Sequence, residues 1–366
     1  MSYTYAKVTT LSPLYLDGFY SRHPGLDGQD YATQFQALMD DTHVWANHIS
    51  RNLRPLGVDA HEIVYSAEPL QRAWAREHGS TAEGPALLVE QLKSIRPDVV
   101  FLHVSYPLYA QFLPLVRDNV PGVRLIHGNI GVGFEREHFP SFAGLDFVIT
   151  NETGLYNRLR EAGANPYHLY HAFEHTLLPR IEAMGPLEET DFLFVGGIVL
   201  SSGYHLKRGE FLTELVDLGV DLRVRSNPVE VKANIPPQLA ARIRPPVWGI
   251  SMYRALHGAK TAFNIHIDAL PNASNMRLFE ATGAGTCLVT DRVPELDRLF
   301  EDGVEVVTYA SPAECAEKVR WLLDHPAERE AIARAGQART LKDHRLEDRV
   351  AALHEIILKE LGTRRS

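Results

Sequence analysis

Short apolar runs alternate with stretches whose apolar residues recur at helical spacing, and this alternation runs along almost the whole chain. In the first half it predicts a strand at Ala6 to Leu11, then an irregular aromatic loop from Pro13 to Pro24 holding Tyr15, Phe19 and Tyr20. One long helix is predicted from Tyr31 to Leu56, because Phe35, Leu38, Met39, Val44, Trp45, His48, Ile49 and Leu53 form one apolar stripe that Gly57 closes. Strands follow at His61 to Tyr65, Asp98 to Val104, Val123 to His127 and Phe147 to Asn151. Helices fall between and after them at Pro85 to Ile95, Tyr109 to Asn119 and Thr153 to Ala162. The Asp98 to Val104 run is apolar on both faces, as strands inside a parallel sheet are. Strands that alternate with helices predict a doubly wound α/β domain whose ligands bind beyond the carboxyl ends of the strands.

The pattern loosens between Tyr170 and Glu189, where Pro179 and Pro186 bracket a short segment, and a domain crossing is expected there. The alternation then restarts. A strand and glycine turn are predicted at Asp191 to Gly197, a helix at Arg208 to Leu218, a strand at Asp221 to Arg225, and a proline-rich stretch at Asn227 to Pro246. A helix at Ile250 to His257 and a strand at Thr261 to Ile267 lead to Asn275–Asp291, which reads as a short helix, a glycine break and a buried strand. Beyond it the pattern gives a helix at Val293 to Phe300, a strand at Val304 to Tyr309, and helices at Ala313 to Asp324, Pro326 to Leu341 and Arg345 to Leu361. The expected organisation is an N-terminal Rossmann-like domain over 1–175, a C-terminal one over 190–344 facing it across a cleft, and a helix at 345–366 that crosses back to the first.

Length agrees with two domains, since 366 residues exceed what one hydrophobic core usually serves. A formal charge of −9 argues against nucleic-acid or anionic-membrane binding, which call for a basic face. Two cysteines, Cys287 and Cys315, show neither CxxC pairing nor metal-ligand spacing, so a reducing cytoplasm is the expected location and no metal is expected. The N-terminus has no basic segment leading into an apolar one, and no window approaches the run of about 18 apolar residues that suggests a membrane span.

Candidate chemistry gathers in the second half. Phosphate-loop and dinucleotide fingerprints are absent, yet Gly196 and Gly197 end a strand, and His205, Lys207 and Arg208 lie at the start of the next helix. A diphosphate there meets backbone N–H groups, a helix dipole and cations together. Arg277 and Glu280 suit opposite ends of a nucleotide sugar, the guanidinium on diphosphate and the carboxylate on ribose hydroxyls. Their i,i+3 spacing equally suits a salt bridge between them. Asn275 opens that helix, while Gly283 and Gly285 end it and permit close backbone approach.

From Asn264 to about Arg349 the chain resembles the C-terminal domain of the CgeB/YkvP-like glycosyltransferases, a group allied to the large retaining GT-B families. The resemblance is carried by Asn264-Ile265-His266, Asn275-Met276-Arg277-Leu278-Phe279-Glu280, Gly283-Ala284-Gly285, Leu288-Val289-Thr290-Asp291, Leu299-Phe300, Glu305-Val306-Val307, and His344 followed by Arg345 and Arg349. It implies a GT-B enzyme that holds a nucleotide-diphosphate sugar in its C-terminal domain and an unidentified acceptor in its N-terminal one. No metal or other cofactor is implied, because basic residues and helix N-termini stabilise the departing diphosphate. Glu280 matches the second acid of the family's E-x7-E pattern, expected on the ribose, whereas the first acid's position holds Asn272. Leu125-Ile126-His127-Gly128-Asn129 resembles the strand-end histidine of related enzymes, which makes His127 the catalytic candidate near the donor sugar. A retaining reaction needs no separate base; an inverting one has Asp17, His127 and Glu135 available. The alternatives are a GT-B-like structural or assembly protein and a nucleotide-sugar epimerase.

Overall fold

A computed structural model describes residues 2–198, 206–226, 235–266, 272–273 and 275–363. The chain divides into two compact units, one running to Leu169 and regaining the chain from Glu347 onward, the other spanning Tyr170–Leu346.

The first unit is built on six parallel strands: β1 (Thr4–Thr9), β2 (Asp59–Val64), β3 (Val99–His103), β4 (Leu125–Ile130), β5 (Phe147–Thr150) and β6 (Pro166–His168). Their order across the sheet is β2-β1-β3-β4-β5-β6. The last helix, Leu346–Thr363, packs within this unit. The Tyr3 hydroxyl lies 3.0 Å from His354 Nδ1, Tyr167 donates to Glu360 at 2.6 Å, and Arg124 reaches the Leu361 carbonyl at 3.2 Å.

Two expected elements differ here. The aromatic stretch after β1 is a helix, Pro13–Arg22, with Pro13 in its first turn and Tyr15, Leu16 and Phe19 buried. Proline at that position lacks only an N–H that the helix does not use, and its fixed φ favours the first turn. The single helix expected from Tyr31 to Leu56 is two, Tyr31–Asp41 and His48–Leu53. Between them Thr42, Val44 and Ala46 take positive φ values of 58°, 54° and 34°, where side chains crowd the backbone.

A buried ion pair accounts for that break. Lys7 on β1 and Glu62 on β2 stand opposite each other in register, each about 1% exposed, with Nζ 3.0 Å from Oε2. Lys7 also donates to the Ala46 carbonyl at 2.6 Å, while Ser50, whose hydroxyl donates to the Asn47 carbonyl at 3.0 Å, stands close enough to Glu62 to favour its charged form. In an unbroken helix the Ala46 carbonyl and the Ser50 N–H would bond each other. Lys7 takes the Ala46 carbonyl instead, which meets part of the need of a buried charge for hydrogen bonds away from water.

At the centre of the same sheet, register places Phe101 on β3, His127 on β4 and Phe147 on β5 side by side. The three rings stack, with His127 4.4 Å from Phe101 and 4.5 Å from Phe147, each pair within 6° of parallel. His127 is 0% exposed, and its Nε2 lies 3.3 Å from the Tyr5 hydroxyl.

The second unit also has six parallel strands: β7 (Thr190–Val195), β8 (Leu222–Arg225), β9 (Ile243–Arg244), β10 (Ala259–Asn264), β11 (Cys287–Asp291) and β12 (Val307–Tyr309). Their order is β12-β11-β10-β7-β8-β9, so successive strands spread outward from β7 to one side and then, from β10, to the other. Side chains along β7 alternate between two cores. Leu193 and Val195 join Tyr253, Leu278 and Phe279, whereas Phe192 and Phe194 join Phe263, Val289 and Val319. A sheet covered on both faces is what near-continuous apolar strands require. Cys287 and Cys315 are both free and buried in the second of these cores, and burial pushes the Cys287 thiol up to about 12. Among the described residues no helix is long and apolar enough to cross a membrane.

Burial pulls the His127 imidazole down from its ordinary 6.5 to about 3, so the folded chain holds the ring neutral while the unfolded chain protonates it below pH 6.5. The stability this contributes is complete above about pH 6.5 and is lost as the pH falls towards 3. His43 and His171, drawn down to about 4 by burial, act in the same direction. His127→Phe keeps a stacking ring without a titrating group. Urea unfolding between pH 6 and pH 4 is expected to show a shallower loss of stability in this variant, by up to about 1.4 kcal/mol per pH unit.

Candidate functional site

In the second unit the strand order reverses between β7 and β10, and an open α/β sheet leaves its ligand-binding crevice at that point, beyond the carboxyl ends of the strands. β7 runs out through Val195 into Gly196 and Gly197. A Cβ on Gly196 would lie 2.9 Å from the Phe194 ring, so a side chain there would require the ring to shift; at Gly197 no described atom lies within 4 Å of such a Cβ.

Arg208 sits in the first turn of the helix Leu206–Asp217, only 8% exposed. Its Nη1 donates to the Gly197 carbonyl at 2.9 Å and its Nη2 to the Ile265 carbonyl at 3.0 Å, with the guanidinium 5.6 Å from the centre of the Phe194 ring. It therefore joins the segment after β7 to the segment after β10 across the reversal. The planar fork of arginine suits such a bridge, and its charge stays at the mouth of the crevice. Lys207 beside it is exposed, and His205 lies outside the described residues.

A chain of side-chain hydrogen bonds crosses the ends of β10, β11 and β12. Asn275 caps the helix Met276–Gly283 through its Oδ1, 3.4 Å from the Leu278 nitrogen, and its Nδ2 donates to Asn264 Oδ1 at 2.7 Å. Asn264 in turn donates to Thr290 Oγ1 at 2.8 Å, Thr290 to Asp291 Oδ1 at 3.2 Å, and Tyr309 to the Asn264 carbonyl at 2.6 Å. Asp291 accepts the backbone N–H of His266 and lies 2.7 Å from His266 Nδ1. Asn275, a candidate ligand contact by sequence, thus serves as a helix cap tied to the strand beside it.

Arg277 and Glu280 realise the salt-bridge alternative, at 3.0 Å between Nη1 and Oε2, but in a largely buried setting. Arg277 also donates to the Val195 carbonyl at 3.2 Å and approaches the Met252 sulfur at 3.3 Å, which docks the helix on the end of β7. Glu280 lies near the Tyr253 phenol, whose pKa rises well above its ordinary value through burial first and the Glu280 charge second. The two glycines have reasons within the fold. A Cβ on Gly283 would fall 2.3 Å from the Phe173 ring, and Gly285 has a φ of +85°. Gln337 donates to the Gly283 carbonyl at 3.0 Å.

The strand ends of this unit thus bring together Gly196, Gly197, Arg208, Asn275, Arg277 and Glu280. His127 is not among them: it belongs to the core of the first unit, and its full burial gives a ligand no atom to touch. Sequence reasoning assigned no role to the His266–Asp291 pair. Its signal was a histidine near the end of one predicted strand and an aspartate closing the next, which parallel pairing brings together. The cluster offers cations for an anionic group and carboxylates for hydroxyls, both close to backbone at a strand-order reversal.

Residues 208–355 match the family model described as "Glycosyl transferase-like". A search of curated proteins finds no match. Solved structures of similar fold include HepE from Anabaena in complex with UDP and glucose, at TM-score 0.64 and 11% identity over 98% of this chain and 100% of that one. A glycosyltransferase from Rickettsia africae superposes with TM-score 0.62 and 10% identity, over 98% and 99% of the two chains. Sucrose-phosphate synthase from Thermosynechococcus elongatus gives 0.60 and 11%, over 99% and 100%. At such identities the likeness is one of fold. The chain has the GT-B architecture of two Rossmann-like units, and most of the residues that match the glycosyl transferase-like model lie in the second.

Proposed function

We propose that the protein transfers a sugar from a nucleotide-diphosphate sugar to an acceptor hydroxyl, as a GT-B enzyme of the CgeB/YkvP-like kind. The observation that carries this reading is the placement of Arg208, Arg277 and Glu280 at the strand-order reversal of the unit that matches the glycosyl transferase-like family. UDP and UDP-glucose, bound by HepE in its solved complexes, are the first donors to try.

In this proposal Glu280 turns its carboxylate to the ribose hydroxyls, and Arg277 exchanges part of its hold on Glu280 for the diphosphate. Lys207 and the N-terminal turns of the helices Leu206–Asp217 and Met276–Gly283 add positive potential where the leaving group gathers charge. These groups do the work of a metal ion, so none is required. The course is retaining, with the departing phosphate taking the acceptor's proton; this rests on the resemblance of the Asn264 to Arg349 region. The first unit binds the acceptor.

The reading as a structural or assembly protein draws on one observation. Arg208 and Arg277 already bond protein carbonyls, and Arg277 already has its carboxylate. Nucleotide binding separates the two readings.

Thermal unfolding with UDP, GDP, ADP, TDP and UDP-glucose at millimolar concentration is the direct test. A ligand at about a hundred times its Kd stabilises the folded state by about 2.7 kcal/mol, enough to raise the transition by several degrees. A flat response to every nucleotide would count against a donor site. Glu280→Gln removes the charged acceptor and keeps the shape; calorimetry is expected to show nucleotide affinity lower by about tenfold or more, with the circular dichroism spectrum unchanged. Unaltered affinity would remove Glu280 from the site.

A further inference from the structure

We propose that His266 accepts a hydrogen bond from a hydroxyl of the donor's sugar unit, with Asp291 as the positioning residue that fixes its ring. This deepens the donor-site reading above and rests on it.

The ring is set by chemistry on both sides. A carboxylate oxygen accepts, so the hydrogen in the 2.7 Å contact is placed on His266 Nδ1. The same carboxylate holds the His266 backbone N–H at 3.0–3.1 Å, so main chain and ring are tied to one group and the imidazole has little freedom to turn. Asp291 is steadied by the Thr290 hydroxyl, which Asn264 and the capping Asn275 hold in turn. The immediately preceding carbonyl, that of Ile265, is held by Arg208. Ring orientation is therefore linked through hydrogen bonds to both of the helices that face the crevice.

In its uncharged form, with Nδ1–H given to Asp291, the ring would present a bare lone pair at Nε2. That nitrogen is covered from solvent, in a residue 5% exposed, and has no hydrogen-bond partner among the described residues. A covered acceptor costs stability until a donor reaches it, and folded proteins keep few such atoms without a reason. Its place, two residues past the end of β10 at the strand-order reversal, is where this fold admits ligand. A phosphate oxygen carries no hydrogen at neutral pH and is no partner for a lone pair. A sugar hydroxyl is such a partner, and a diphosphate seated over Gly197 and Arg208 would bring the attached sugar to this side of the crevice.

The pair resembles a catalytic dyad in form, but acceptance of a hydrogen bond is the role that a fixed, covered ring nitrogen can perform without any proton changing hands. The contact would favour a donor with a hydroxyl at one ring position and would lose affinity for the corresponding deoxy sugar.

Titration calorimetry on the full chain, with UDP and UDP-glucose as matched probes and GDP with GDP-mannose as a second pair, tests this. His266→Asn keeps an amide N–H to bond Asp291 and places nothing at Nε2. It is expected to weaken binding of the nucleotide sugar about tenfold while leaving the nucleoside diphosphate within about twofold. His266→Gln, whose longer amide reaches the position of Nε2 with a carbonyl oxygen, is expected to recover most of that loss. Equal loss on the diphosphate and the sugar nucleotide, no loss on either, or a Gln variant as weak as the Asn variant would each overturn the assignment while leaving the donor site in place. Failure of the unaltered chain to bind any member of either pair would instead overturn the donor-site reading, and this inference with it.

Discussion

One guanidinium ties together the two segments that leave the second sheet where its halves part. Parallel strands that spread to opposite sides leave the ends of β7 and β10 adjacent, with no crossover helix of their own between them. Arg208 fills that position and bonds a carbonyl on each side. A hydrophobic side chain would leave both carbonyls without those bonds, and a lysine lacks the fork to reach two at once. The geometry of Gly197, of Ile265 and of His266 after it follows from this bridge. A charge that serves structure also sets the electrostatic character of the crevice.

The strands were largely legible because both faces of each sheet are covered, which forces the apolar runs over 99–102 in β3 and 192–195 in β7. The helices were less so. Leu70 and Ala73 are buried one turn apart on the helix Glu68–Glu77, but the charged residues of its other face dominate the sequence, and no helix was expected there. Tyr15 and Phe19 lie one turn apart on a helix that begins at Pro13, yet the proline and the run of aromatic residues read as a loop. The strand expected to start at Val304 starts at Val307, and a helix expected to start at Val293 covers only Leu296–Leu299. In both places turns occupy the first residues of the apolar run.

The candidate site was legible in its residues but not in its bonds. Arg277 and Glu280 were found by type and spacing; that they hold each other and the end of β7, near Tyr253, is a matter of three-dimensional packing. Gly283 and Gly285 stood out by residue type alone; what approaches Gly283 is the Phe173 ring, and Gly285 takes a positive φ. His127 shows the limit of strand-end arguments. A histidine between two phenylalanines in register is held as an aromatic ring first, and only the neighbouring strands reveal it.

The ion pair that divides the helical stretch after β1 has a bearing on how the chain encodes its shape. Residues 31–56 carry the periodicity of one helix, and nothing within them names the point of interruption. The instruction comes from Lys7 and Glu62, on strands that precede and follow the stretch. Local sequence and long-range sequence thus specify different backbones for the same residues, and the assembled sheet decides between them. The break is a property of the unit as a whole, borne by a segment that would not express it alone.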